Sequence, residues 1–136
     1  MKFFHAMTTT ASKQQIWQIW ADVENWPQWD TELDMAHIEG ELKQGVIGSF
    51  QPKNAPVLPF EITECIPGET YTFSAQMPLC QLNVKRYFSE NEAGQLEFIH
   101  EISFVGLLSW LFGRFVGQRI QKVLPSVMEQ LRAIAE

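Results

Sequence analysis

The sequence predicts an α+β fold: a curved antiparallel sheet of about seven strands wrapped around a long C-terminal helix, with two short helices after strand one. Two observations set this pattern. Apolar residues recur at helical spacing after Ser12 and again beyond Gly106. Between them lie six short runs, at 34–40, 46–51, 58–66, 69–77, 80–90 and 95–105, broken by turn residues such as Lys43-Gln44-Gly45, Pro67-Gly68 and Asn91 to Gly94. The length of 136 residues, with 46% hydrophobic and 19% charged, suits one packed core and one domain spanning 1–136.

Taken in order, residues 2–9 read as the opening strand. Ser12-Lys13-Gln14-Gln15 is a capping box, with Ser12 serving orphan amides and Gln15 reaching back. Ile16, Trp17, Ile19, Trp20 and Val23 then follow at helical spacing, and Asn25-Trp26-Pro27-Gln28-Trp29 forms a second short turn or helix. At the far end Ile120, Val123, Leu124, Val127, Leu131 and Ile134 make one apolar stripe suited to packing on a sheet. Pro125 interrupts that stripe, so a kink or a late helix start is expected there.

Parity fixes the register of one hairpin. Leu82, Val84, Arg86 and Phe88 form one mainly apolar set, and Leu96, Phe98, His100, Ile102 and Phe104 form another. A three-residue loop, Glu92-Ala93-Gly94 with left-handed Gly94, places both sets on one face. Phe88 then opposes Phe98, Val84 opposes Ile102, and Lys85 opposes Glu101 outside. Arg86 opposes His100 inside, so two basic groups share an apolar wall.

Composition and motif content exclude several functions. A net charge of -6 disfavours nucleic acid as a partner. Cys65 and Cys80 form neither a disulfide framework nor a CxxC pair, and read as reduced core thiols. His5, His37 and His100 lack ligand spacing, so no metal is expected, and the absence of phosphate loops and nucleophile elbows leaves no cofactor implied. The opening segment lacks a secretory apolar region, and the greasiest stretch, 105–116, is too short to span a bilayer; a cytoplasmic protein is expected.

The order of elements resembles the helix-grip fold of the START-like, or SRPBCC, superfamily. The residues that carry the likeness are Ala11 to Trp17, Asp22-Val23-Glu24-Asn25-Trp26-Pro27-Gln28-Trp29-Asp30, Phe60 to Glu64, and Leu124-Pro125. The Asn-Trp-Pro-x-Trp-Asp stretch is similar to bacterial members labelled polyketide cyclase or dehydratase. The resemblance implies an apolar cavity for a lipid, polyketide, sterol-like or aromatic molecule. It does not imply catalysis, because one fold hosts binders, carriers and enzymes alike.

The primary expectation is therefore binding or carriage of a small hydrophobic ligand. The candidate site residues are Trp29, Phe60, Phe73, Met77, Leu82, Val84, Arg86, Phe98, His100, Ile102, Phe104, Phe112 and Phe115. A rival reading is a cyclase or dehydratase in which Arg86 polarises a carbonyl and His100 shuttles a proton. Glu64 shares a parity with Phe60 and Ile62, and could instead point inward and pair with Arg86. Trp17 and Trp20 read as core, whereas Trp26 and Trp29 suit either a cap over the cavity or a plug sealing it. Leu107 to Val116 is apolar around its circumference and should be mostly covered, as core, as a lid, or as a patch for a partner or membrane surface. The chain is expected to be a monomer or a homodimer.

Overall fold

A computed structural model describes residues 1–136. The capping box is present: the Gln15 amide donates to Ser12 Oγ at 3.1 Å, and the Ser12 amide donates to Gln15 Oε1 at 2.8 Å. It opens α1, Lys13–Ala21, which buries Ile16 and Trp20. A 3-10 segment, Val23–Gln28, follows with Pro27 inside it. The Trp26 indole donates to the Trp20 carbonyl at 2.9 Å, tying this segment back onto α1.

Seven strands form one antiparallel sheet: β1 Lys2–Thr8, β2 Leu33–Ile38, β3 Ile47–Pro52, β4 Leu58–Ile66, β5 Thr70–Met77, β6 Cys80–Glu90 and β7 Leu96–Val105. Their order is β1-β7-β6-β5-β4-β3-β2, and the sheet is curled. The chain therefore runs as a meander from β2 to β7, and the first strand closes beside the last. After β7 come α2, Ser109–Phe112, a π turn at Gly113–Gly117, and α3, Gln118–Ala135. From α3, Leu124, Val127, Met128 and Leu131 are buried at helical spacing and join the core, which is where the sheet and helix meet.

The hairpin register agrees with the parity argument at every pair: Phe88 opposes Phe98, Val84 opposes Ile102, Lys85 opposes Glu101 and Arg86 opposes His100. Gly94 has φ 77°, and Asn91 Oδ1 accepts from the amides of Ala93 and Gln95, which locks the loop.

Three expectations need correction. Glu64 does not face inward, because a β-bulge between Ile62 and Glu64 inserts one residue and reverses the parity of β4. Glu64 lies on the outer face, 3.5 Å from Lys85 Nζ. The helix does not start late at Pro125: α3 begins at Gln118 and carries the proline, exposed, within it, and an irregular turn precedes it at Gly113–Gly117. There the backbone packs close to Met1 and Phe104: a Cβ on Gly113 would meet Met1 Sδ at 2.7 Å, and one on Gly117 the Phe104 ring at 3.0 Å. Finally, the segment from Leu107 to Val116 is not mostly covered. Leu107, Trp110, Phe115 and Val116 are exposed, and only Gly113 is buried.

A candidate ligand cavity with one polar end

The concave face of the sheet and the helical run enclose a cavity of about 460 Å³. Its walls are largely apolar, including Phe73, Met77, Leu82, Val84 and Ile102 from the sheet and Ile120, Val123, Leu124 and Val127 from α3. The rim is formed by Pro52 to Ala55 between β3 and β4 and by Phe115, Val116 and Arg119 opposite. Arg119 bridges to Glu32 at 3.1 Å, linking α3 to the segment that precedes β2.

Arg86, His100, Trp26 and Asp30 make the polar end. Arg86 points inward because it shares the parity of Leu82 and Val84, and it is 4% exposed. Its Nη1 donates to the Tyr71 hydroxyl. The guanidinium carbon lies 4.6 Å from the Trp26 ring centre and 4.9 Å from that of Trp29, so two indole faces compensate part of the lost hydration. Nε is enclosed without a partner. Nη2 also has no protein partner but is not enclosed, and it supplies the free donor edge of this group.

His100 is 1% exposed, and its Nε2 accepts the Trp20 indole proton at 3.1 Å. That bond assigns the ring proton to Nδ1. Burial, then the nearby Arg86 charge, then His5, hold the pKa well below 6.5, so the ring is neutral. Its Nδ1–H has no protein partner and is not enclosed, which leaves a second donor available in the cavity wall.

Asp30 is half-buried at the end of the tryptophan-rich segment. Burial raises its carboxyl pKa, while the Arg86 charge pulls it down. The two groups influence each other through space without forming an ion pair, so the polar end contains donors, an acceptor and room between them.

Of the residues singled out from the sequence, Phe73, Met77, Leu82, Val84, Arg86, His100, Ile102 and Phe115 line the cavity. Trp29, Phe60, Phe98, Phe104 and Phe112 do not. Phe60 is 2% exposed and stacks on Trp26, one layer behind the wall. Phe98 is fully buried, and Phe104 packs against Gly117. Phe112 is half-buried against the core. Trp29 sits behind Arg86 and His100, its Nε1 enclosed and unpaired. Trp26 thus forms wall and Trp29 the layer supporting it. Asp30 and Tyr71 carry no polar role in the sequence pattern: Asp30 only closes the tryptophan-rich stretch, and Tyr71, alternating with Phe73, is expected to face core or ligand.

An antiparallel sheet curled around a C-terminal helix, with an apolar cavity between them, is the helix-grip fold of START-like proteins. Solved structures share it. The Zhui aromatase/cyclase from Streptomyces sp. R1128 superposes with a TM-score of 0.77 over 99% of this chain and 93% of its own, at 11% identity. A START superfamily protein from Mycobacterium smegmatis gives 0.74 over 97% and 94%, at 14% identity. Ara h 8.0201 gives 0.68 over 96% and 97%, at 12% identity. At such identities the likeness concerns the fold. The sequence matches no family model and no curated relative.

Proposed function

We propose that the protein binds and carries a small hydrophobic molecule bearing one polar oxygen, such as a carbonyl, carboxylate or phenol. The apolar part would occupy the space between the sheet and α3, and the oxygen would accept from Arg86 Nη2 and His100 Nδ1. A hydroxyl in the same place would also donate to Asp30. The neighbours' names support a hydrophobic occupant, since one is an aromatase/cyclase and another a START superfamily protein.

The observation that favours carriage over catalysis is the Trp20–His100 bond. It occupies the only lone pair of the neutral ring, so His100 is a donor and has no site at which to take a proton from a substrate. A proton-shuttling cyclase would need that lone pair free.

Fluorescence titration with 1-anilinonaphthalene-8-sulfonate, an aromatic probe with an anionic group, tests the reading. Saturable binding at one site is expected. Met77→Trp, which fills the cavity from a half-buried wall position, should abolish it while leaving circular dichroism unchanged. Equal binding by Met77→Trp would place the probe elsewhere and overturn the proposal.

A further inference from the structure

Four large apolar side chains on the β5–β6 turn and the helical run after β7 are exposed. Leu79 is 62% exposed, Leu107 78%, Trp110 65% and Phe115 67%. The Leu79 carbonyl accepts the Leu108 amide at 2.9 Å, which sets the β5–β6 turn beside the start of the helical run. Phe115 also belongs to the cavity rim, so the exposed apolar run reaches the mouth.

Charge supplies an independent observation. The chain is acidic overall, at -6, yet residues 50–60, 70–89 and 102–128, which build these segments and most of the rim, contain no Asp or Glu. They present Lys53, Arg114, Arg119 and Lys122 as exposed cations. Of these four, only Arg119 has an acidic partner, Glu32.

We infer that this face docks on an anionic lipid surface, with Leu107, Trp110 and Phe115 in the headgroup boundary and the cations against lipid phosphates, so that the mouth opens onto the bilayer. An exposed tryptophan among aliphatic groups and unpaired cations matches that boundary, where one end of the indole is apolar and the other wet. No helix is long and apolar enough to cross a membrane, so the contact is lateral. The docking does not depend on the cavity being filled.

Co-sedimentation with vesicles of equal parts phosphatidylcholine and phosphatidylglycerol, against phosphatidylcholine alone, is the test. The wild-type protein should bind the anionic vesicles, with affinity falling ~10-fold or more on neutral ones. Leu107→Ser/Trp110→Ser should lower anionic binding by ~10-fold or more, since it removes the apolar anchor. Arg114→Glu, an exposed change that spares every apolar contact, should weaken it too. Trp20, Trp26 and Trp29 are buried and Trp17 is half-buried, so quenching of emission by brominated lipid should report Trp110 and vanish in Trp110→Phe. The double variant should bind the anilinonaphthalene probe as the wild type does, which separates this inference from the cavity reading. Absence of binding to anionic vesicles overturns the inference. So does undiminished binding by the double variant, or a wild-type dimer that the double variant converts to monomer.

Discussion

Trp20 donates its indole proton to His100 Nε2 at 3.1 Å, joining α1 to β7 inside the core. The bond requires a neutral imidazole. Because the folded pKa lies well below 6.5, the unfolded chain binds more protons between those two values, and stability must fall as pH drops through about 6.5. His37, whose pKa is raised by Glu24 and Glu39, contributes in the opposite direction. Urea unfolding across pH 4 to 8, roughly the range of histidine titration, should therefore show a steeper acid loss in the wild type than in His100→Gln. Equal slopes would show that His100 is not the group responsible.

Arg86 is held by one tyrosine hydroxyl and two indole faces rather than by a protein carboxylate. Arg86→Met should cost less than about 2 kcal/mol in urea unfolding, because it also removes an enclosed, unpaired Nε. It should weaken probe binding by ~10-fold or more, the usual loss for a hydrogen bond to a charged group. A loss of several kcal/mol with unchanged probe affinity would make Arg86 a structural residue only.

Gly94 adopts φ 77° with no atom within 4 Å of a built Cβ, so substitutions there meet backbone strain and nothing else. Gly94→Val should destabilise by about 1 kcal/mol or more, and Gly94→Asn by much less, since asparagine tolerates the left-handed region. Thermal midpoints of the two variants check this ordering.

Gly48 presents the reverse case, with ordinary backbone but no space. A Cβ there would lie 2.4 Å from the His37 carbonyl oxygen and 2.4 Å from the Phe60 ring. Gly48→Ala should cost about 1–3 kcal/mol as β2 and β3 are pushed apart, measured by urea unfolding.

Much of the fold was legible in side-chain period. The Arg86–His100 pairing followed from counting by twos on each side of a three-residue loop, because no bulge interrupts the β6–β7 register. Glu64 was misplaced by the same rule, since the bulge at Ile62/Glu64 adds a residue that no apolar pattern marks. Polar partners were harder to read. Asp30 approaches Arg86 only because the tryptophan-rich segment folds onto the sheet, a tertiary contact that local spacing does not encode, whereas Tyr71 is the direct cross-strand partner of Arg86 in the β5–β6 hairpin. The segment from Leu107 to Val116 was expected to be mostly covered, with a partner or membrane patch as one alternative, because an all-round greasy segment signals burial; its exposure accompanies a short π turn and two close-packed glycines.

The central claim, that this cavity holds an apolar molecule through Arg86 and His100, is tested most directly by comparing native and denaturing mass spectra of the purified protein. The account predicts an excess mass in the native spectrum that denaturation releases, that Met77→Trp lacks and that Arg86→Met retains at lower occupancy. An excess mass present equally in all three proteins, or no bound species even after incubation with the anilinonaphthalene probe, would contradict it.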